Sequence, residues 1–262
     1  MITLFSRHKE VTRIFNFFLI LLISFHTLLA QPDRPKKNFI GLHTGALSSS
    51  IKDELASPLT YKGSGAPIQL SYRFMGNKNR HSVSLSYSRS KLFPTAELPY
   101  GQHSLDHFQF DLAYSYHRFL ASLFRDRVKL YLGGVWDNHV SVRELYYIWN
   151  MSEIYGELVS SLDISPLLEF KMSKKNQITC QLALPVMALV IRSPYAQKGI
   201  VIPKITTLDR FIRFKNSLVL EHTLSRFFNI RFKYQYIYYR YPEPQRVQSG
   251  TDHFMVELVF KL

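Results

Sequence analysis

Apolar and polar residues alternate with a period of two over ten stretches of the chain, near 38–47, 66–75, 80–91, 105–118, 127–139, 154–170, 177–189, 208–222, 228–240 and 252–262. Successive side chains of an extended strand point to opposite faces, so each stretch predicts a β-strand with one apolar face. The segment 82–88 shows this most cleanly, with Val83, Leu85 and Tyr87 separated by serines. Phe108, Phe110, Leu112, Tyr114 and Tyr116 oppose Gln109, Asp111, Ala113, Ser115 and His117. Ile230, Phe232, Tyr234, Tyr236 and Tyr238 oppose Arg231, Lys233 and Gln235. Two stretches are less regular. Pro166 and Pro185 cannot donate to a ladder, so both predict bulges or strand ends.

The connections alternate in length. Residues 48–65, 92–104, 140–153, 190–207 and 241–251 form long links, whereas 76–79, 119–126, 171–176 and 223–227 form shorter ones. This predicts an all-β, up-and-down antiparallel arrangement with long loops at one end and tight turns at the other. A soluble barrel, apolar inside, shares the period but has no reason to alternate its links. Beyond residues 14–29, no apolar run approaches the roughly 20 residues of a spanning helix. A mature chain that crosses a membrane must then do so as a closed barrel.

In the final stretch Phe254, Val256, Leu258, Phe260 and Leu262 share one face, and His253, Met255, Glu257, Val259 and Lys261 the other. It resembles the closing strand of bacterial outer-membrane β-barrels, which ends on an aromatic or large apolar residue and serves as the assembly signal. Here the last residue is Leu262, with Phe260 two positions earlier. The resemblance implies a transmembrane β-barrel of about ten strands over 31–262, in the outer membrane of a Gram-negative bacterium, with its short turns periplasmic. The start of the chain agrees. Arg7, Lys9 and Arg13 precede the apolar run and Ala30, the layout of a signal peptide over 1–30, cleaved after Ala30. The Ala30-Gln31 junction and the richness in Tyr and Lys look like proteins of Bacteroidota. Aromatics near the strand ends (Tyr100, Tyr114, Tyr116, Trp136, Tyr146, Tyr147, Trp149, Tyr155, Phe227, Phe228 and the run 234–241) are read as interfacial girdles.

The formal charge is +14, and the leader accounts for +2 of it. In a soluble protein that excess points to nucleic acid. Export points instead to anionic lipid, lipopolysaccharide and cell-wall surfaces, so no nucleic-acid partner is expected. The short links are almost purely basic, with Lys78, Arg80, Arg125, Arg127, Lys171, Lys174, Lys175 and Arg226. Cys180 is the only cysteine, which excludes an internal disulfide and a cysteine metal cluster. No H-E-x-x-H spacing and no glycine-rich phosphate loop occurs, so neither metal nor cofactor is expected.

On the polar face, Arg73, Asp111, Glu157, Arg213, Lys215, Glu221, Arg231, Lys233 and Glu257 are expected to point into the lumen. Both signs occur, and a symmetric hairpin around Arg226 sets Glu221 opposite Arg231. An interior of eight to ten strands is about wide enough for its own side chains. These charges therefore predict a lumen plugged by ion pairs, with a narrow path for anionic or polar solutes as the alternative. For catalysis the candidates are Ser104, Asp106 and His107 at the outer rim, with Asp137 and His139 placed at the same level. A His beside a carboxylate can serve as a general base, and with Ser or water it can drive hydrolysis. Omptin proteases are similar in architecture and use Asp and His at this level. Lipid A deacylases and phospholipases of the outer membrane use Ser and His on the barrel wall. None of their local motifs is present. The expected role is structural or interactive, with long outer loops, barrel-assembly machinery and other outer-membrane proteins as partners, or as a subunit of a larger complex. A rim hydrolase acting on lipid, lipopolysaccharide or peptide is the further alternative.

Overall fold

In a computed structural model, the residues described are 37–54, 56–96, 103–124, 127–146, 152–192, 203–243 and 245–262. The segment 1–30 expected as a leader and its expected cleavage site lie outside them, as do Tyr100, Arg125, Tyr147 and Trp149. The strands are β1 (Lys37–Asp53), β2 (Thr60–Met75), β3 (Asn79–Pro94), β4 (Ser104–Leu123), β5 (Val128–Tyr146) and β6 (Ser152–Lys171). They continue as β7 (Asn176–Arg192), β8 (Lys204–Thr207), β9 (Ile212–Thr223), β10 (Phe228–Tyr241) and β11 (Val247–Lys261). Each pairs antiparallel with its neighbours, and β1 pairs with β11, which closes the sheet. The short β8 and the longer β9 both pair with β7, at Met187–Val190 and Asn176–Ala183 respectively. They share one position in the wall. The fold is a closed antiparallel up-and-down barrel of ten strands.

Closure is completed at the last residue. The Leu262 amide donates to the Asn38 carbonyl (2.9 Å), and the Lys261 amide donates to that of Phe227 (2.8 Å). The short turns are built from local chemistry. Ser173 Oγ accepts from the amides of Lys175 and Asn176, and Ser225 Oγ accepts from those of Phe227 and Phe228. Both are side-chain turns of the type that Ser favours.

The apolar face points outward through the middle of the wall. Leu42 is 56% exposed and Phe254 59%, and Leu70, Leu85, Leu112, Phe232, Val256 and Leu258 continue the belt. Toward the end that carries the longer links the two faces exchange character. The outward positions become Ser48, Lys52, Lys62, Ser64, Arg89 and Lys91. The inward ones become Leu47, Ile51, Tyr61, Leu92, Leu105 and Leu145, all buried. The barrel is therefore apolar-out within the belt and apolar-in above it, as in a soluble barrel.

This exchange explains where the strands depart from expectation. They run on through most of the segments expected as long loops, so 48–53 and 60–65 are strand and only 54–59 connects them. The links at that end are shorter than expected, although 95–103 and 193–203 still exceed the turns 76–78 and 172–175. Pro185 sits at a register shift, paired with Asp163 while the preceding Leu162 pairs with Met187. Pro166 does not; it pairs in register with Leu132. The stretch expected as one strand from 208 begins only at Ile212, after a turn at 208–211.

A charge on the belt should cost far more than one above it. Leu85→Arg is expected to lower unfolding free energy by about 2–4 kcal/mol, and Ser64→Arg by about 0–1 kcal/mol. Urea titration of the barrel in bilayers measures both.

Candidate functional site

The lumen holds three charge clusters stacked along the barrel axis. The one nearest the short turns centres on Glu257. Its carboxylate accepts from Arg231 Nη1 (2.6 Å) and Ser71 Oγ (2.9 Å), and His43 Nε2 lies at 2.9 Å. Arg231 also pairs with Glu221 (3.2 Å), which Arg73 approaches at 3.5 Å and to which the Asn229 amide donates. Strand registry creates this cluster, because Arg231 lies opposite both Glu221 and Glu257. Gly41 makes room for it. A Cβ there would fall 1.8 Å from Glu257 Oε1 and 2.7 Å from Ser71 Oγ, so the carboxylate lies over bare backbone. Beside it Arg80 pairs with Glu169 and donates to Tyr131 (2.7 Å) while stacking on its ring.

The middle cluster joins β4, β5 and β9. Asp137 accepts from Lys215 (3.0 Å) and pairs with Arg213 (3.1 Å), which reaches Asp111 at 3.6 Å. Asp111 also meets His139 Nδ1 at 2.7 Å and accepts from Ser86. Asp163 is buried in the same layer.

The third cluster is a ring of two arginines and two carboxylates. Arg143 donates to Asp53 and to Glu157 (2.5 Å), and Arg192 donates to Asp53 (2.8 Å) and lies 4.0 Å from Glu157. The Tyr239 hydroxyl donates to Glu157. Arg192 also donates to the carbonyls of Glu243 (2.8 Å) and Gln245 (2.7 Å), tying the last link to the wall. In that link, the hydrogen bond from Lys204 holds the Glu243 carboxyl below the usual carboxylate range. Apolar side chains pack around the ring. Val159, Ala188, Val190, Phe211, Tyr239, Tyr241 and Val247 form one group, and Ile51, Tyr61, Leu92, Leu105, Leu145 and Tyr155 another. Ring and apolar groups, at the strand ends on the long-link side, are together called the lid. Unpaired buried charges are costly, whereas a closed ring satisfies each.

The expected lumen residues are thus divided among layers. Arg73, Glu221, Arg231 and Glu257 meet near the turns, Asp111, Arg213 and Lys215 in the middle, and Glu157 in the lid. Lys233 stands apart from the carboxylates, donating to Gln69 (3.3 Å). Three of the ring's four members, Asp53, Arg143 and Arg192, fall in segments expected as loops. The signal that could have found them is the change of face: Leu47 and Ile51 sit on the opposite parity from Ile40 and Leu42.

The rim candidates do not converge. Asp137 and His139 pair with Ala113 and Asp111, many rungs below Ser104, which pairs with Tyr146. The expected common level is corrected by that register. Asp106 points outward and holds Arg89 (2.8 Å), whereas His107 points inward to Ser141 (2.9 Å). His107 and Ser141 are both buried, so this pair reads as a bridge between β4 and β5. Two further corrections concern the rims. Arg80 leaves the basic short-turn surface for the lumen, and Tyr155, Tyr239 and Tyr241 belong to the lid rather than to an outer girdle. Trp136 does face outward, donating to Ser160 (3.0 Å).

Closed wall, outward apolar belt and charged lumen define a ten-stranded barrel of the transmembrane type. No family model and no curated protein matches the chain. Among solved structures, it is similar to the outer-membrane protease OmpT of Escherichia coli, with TM-score 0.53 and 8% identity over 89% of this chain and 99% of that one. It is also similar to the translocator domain of the autotransporter NalP of Neisseria meningitidis, with TM-score 0.50 and 10% identity over 97% of this chain and 98% of that one. At these identities the likeness is one of fold.

Two substitutions test the clusters. Gly41→Ala should displace the Glu257 carboxylate and cost about 1–3 kcal/mol through its lost partners. Arg143→Leu should cost about 3–5 kcal/mol by leaving Asp53 and Glu157 short of a counter-charge. Equilibrium unfolding in detergent checks both.

Proposed function

We propose that this protein is an integral outer-membrane β-barrel with a structural or interaction role, its lumen closed and its short turns facing the periplasm. The observation that carries the reading is the lid. A ring of four buried charges and two apolar groups spans the lumen where a channel would need a water path. The outward belt supports residence in lipid, and the exposed Lys78, Arg127, Lys174, Lys175 and Arg226 support a basic inner surface toward anionic headgroups. The strand-end walls above the belt form the surface offered to lipopolysaccharide or to other outer-membrane proteins. Phe254, Val256, Leu258, Phe260 and Leu262 form the outward edge that barrel-assembly machinery would read, and 1–30 serves as the export leader.

Folding and conductance test this directly. Protein extracted from outer-membrane fractions should shift in gel mobility on boiling and remain silent in planar bilayers. Arg192→Ala/Tyr239→Ala, still heat-modifiable, should conduct. Conductance by the unaltered barrel, lost in Arg213→Glu/Arg231→Glu, would replace this reading with an anion channel.

A further inference from the structure

Beneath the lid the lumen is not full. A cavity of about 190 Å³ lies between the clusters, bounded on one side by the inward face of β3, where Ser82, Ser84, Ser86 and Ser88 follow one another. Small side chains on that strand leave the space open, while the facing strands β9 and β10 contribute Lys215, Arg231 and Lys233. Its lining reaches Met75, Arg80 and Gln177, the rungs next to the short turns, so it extends toward that end, and no residue of the lid lines it.

The polar groups on this wall are donor-rich. Lys233 donates only to a neutral amide, Gln69 Oε1, at 3.3 Å, and lies within ion-pair reach of no carboxylate among the described residues. Arg73 Nε and Nη2 are buried at the cavity and make no hydrogen bond, although Nη1 reaches Glu221. On the acidic side, Asp111 and Glu169 are the carboxylates of the lining. Both already have partners, the Arg213 guanidinium and the His139 ring for the first and Arg80 for the second. A buried ammonium and a half-satisfied guanidinium, with serine hydroxyls opposite, are short of acceptors. The size argues for a small ligand, since pockets that take drug-sized molecules run from about 300 to 1,000 Å³.

We propose that this cavity is a binding site for a small free oxyanion of phosphate or carboxylate type, entering from the short-turn end and stopped by the lid. Lys233 supplies the charge, Arg73 and Gln69 supply orientation, and Ser84 on the opposite wall supplies a donor. The site is a dead end. It makes the barrel a receptor for an anion on one face and not a conduit between two.

The test uses the full barrel in neutral detergent, with heat-modifiable mobility confirming the fold of every variant. Inorganic phosphate and succinate are titrated separately by calorimetry at constant ionic strength. Saturable binding of either, weakened about tenfold or more in Lys233→Gln and unchanged in the outward Lys62→Gln, is the expected result. Phosphate alone, or succinate alone, assigns the type of oxyanion. Absence of binding by both in a folded preparation, or equal loss in the two lysine variants, overturns the site. A second readout covers a Lys233 variant that does not fold. Ser84→Cys, combined with Cys180→Ser, should react faster with an anionic thiol reagent than with its cationic counterpart, and saturating anion should protect it. Equal or reversed rates would show that the cavity does not attract anions.

Discussion

Everything in this structure depends on closure of the sheet. In hydrocarbon there is no water to hydrogen-bond a free strand edge, and each unsatisfied backbone group costs several kcal/mol. The pairing of β1 with β11, from Phe39 opposite Lys261 to Asp53 opposite Val247, removes both edges at once. It joins residues from opposite ends of the sequence, so the first and last strands must both be present before either is satisfied. The terminal Leu262 amide, bonded to Asn38, completes the seam.

Closure has a second consequence, which is a narrow interior facing away from lipid. Within the belt the inward positions carry charges. Most of these pair with one another across strands because no solvent bath of bulk size is available, Lys233 being the exception. Glu257 shows how tightly the geometry is drawn, with Arg231, Ser71 and His43 around a carboxylate that only Gly41 can accommodate. Above the belt, water replaces lipid outside, and the hydrophobic effect changes direction. Leu92 and Leu145 turn inward with no exposed surface, while Arg89 and Lys91 turn outward. One chain thus obeys two opposite burial rules, and the lid forms above the height where they exchange.

The ring of Arg143, Arg192, Asp53 and Glu157 lies within that apolar upper section. Ion pairs buried there add little net stability over an apolar packing of the same volume, but removing one partner is costly. The ring links strands far apart around the wall, and through Arg192 it also holds the last link. Its physical effect is to fix how strand ends meet. The cavity below it keeps its volume where the inward positions 82, 84, 86 and 88 of β3 are all serine.

The sequence alone determined the strands of the belt. The period of two in 82–88, 105–118 and 252–262 is local information, and lipid-facing side chains leave it intact. It also placed Glu221 opposite Arg231, since a tight hairpin around Ser225 and Arg226 admits few registers. What it could not determine was where the belt ends. The same alternation continues through Leu47, Ile51 and Leu92 with the faces exchanged, and a local pattern cannot say which face meets water. The levels of the rim candidates were equally hidden. Asp137 and His139 share a strand face with Arg143, yet only the β4–β5 register shows that they lie mid-lumen beside Asp111 and not beside Ser104. Asp53, Arg143, Glu157 and Arg192 come from four strands, and Asp53 and Arg192 are 139 residues apart. Their meeting is a property of the closed wall, because only closure brings β1 and β7 around a common lumen.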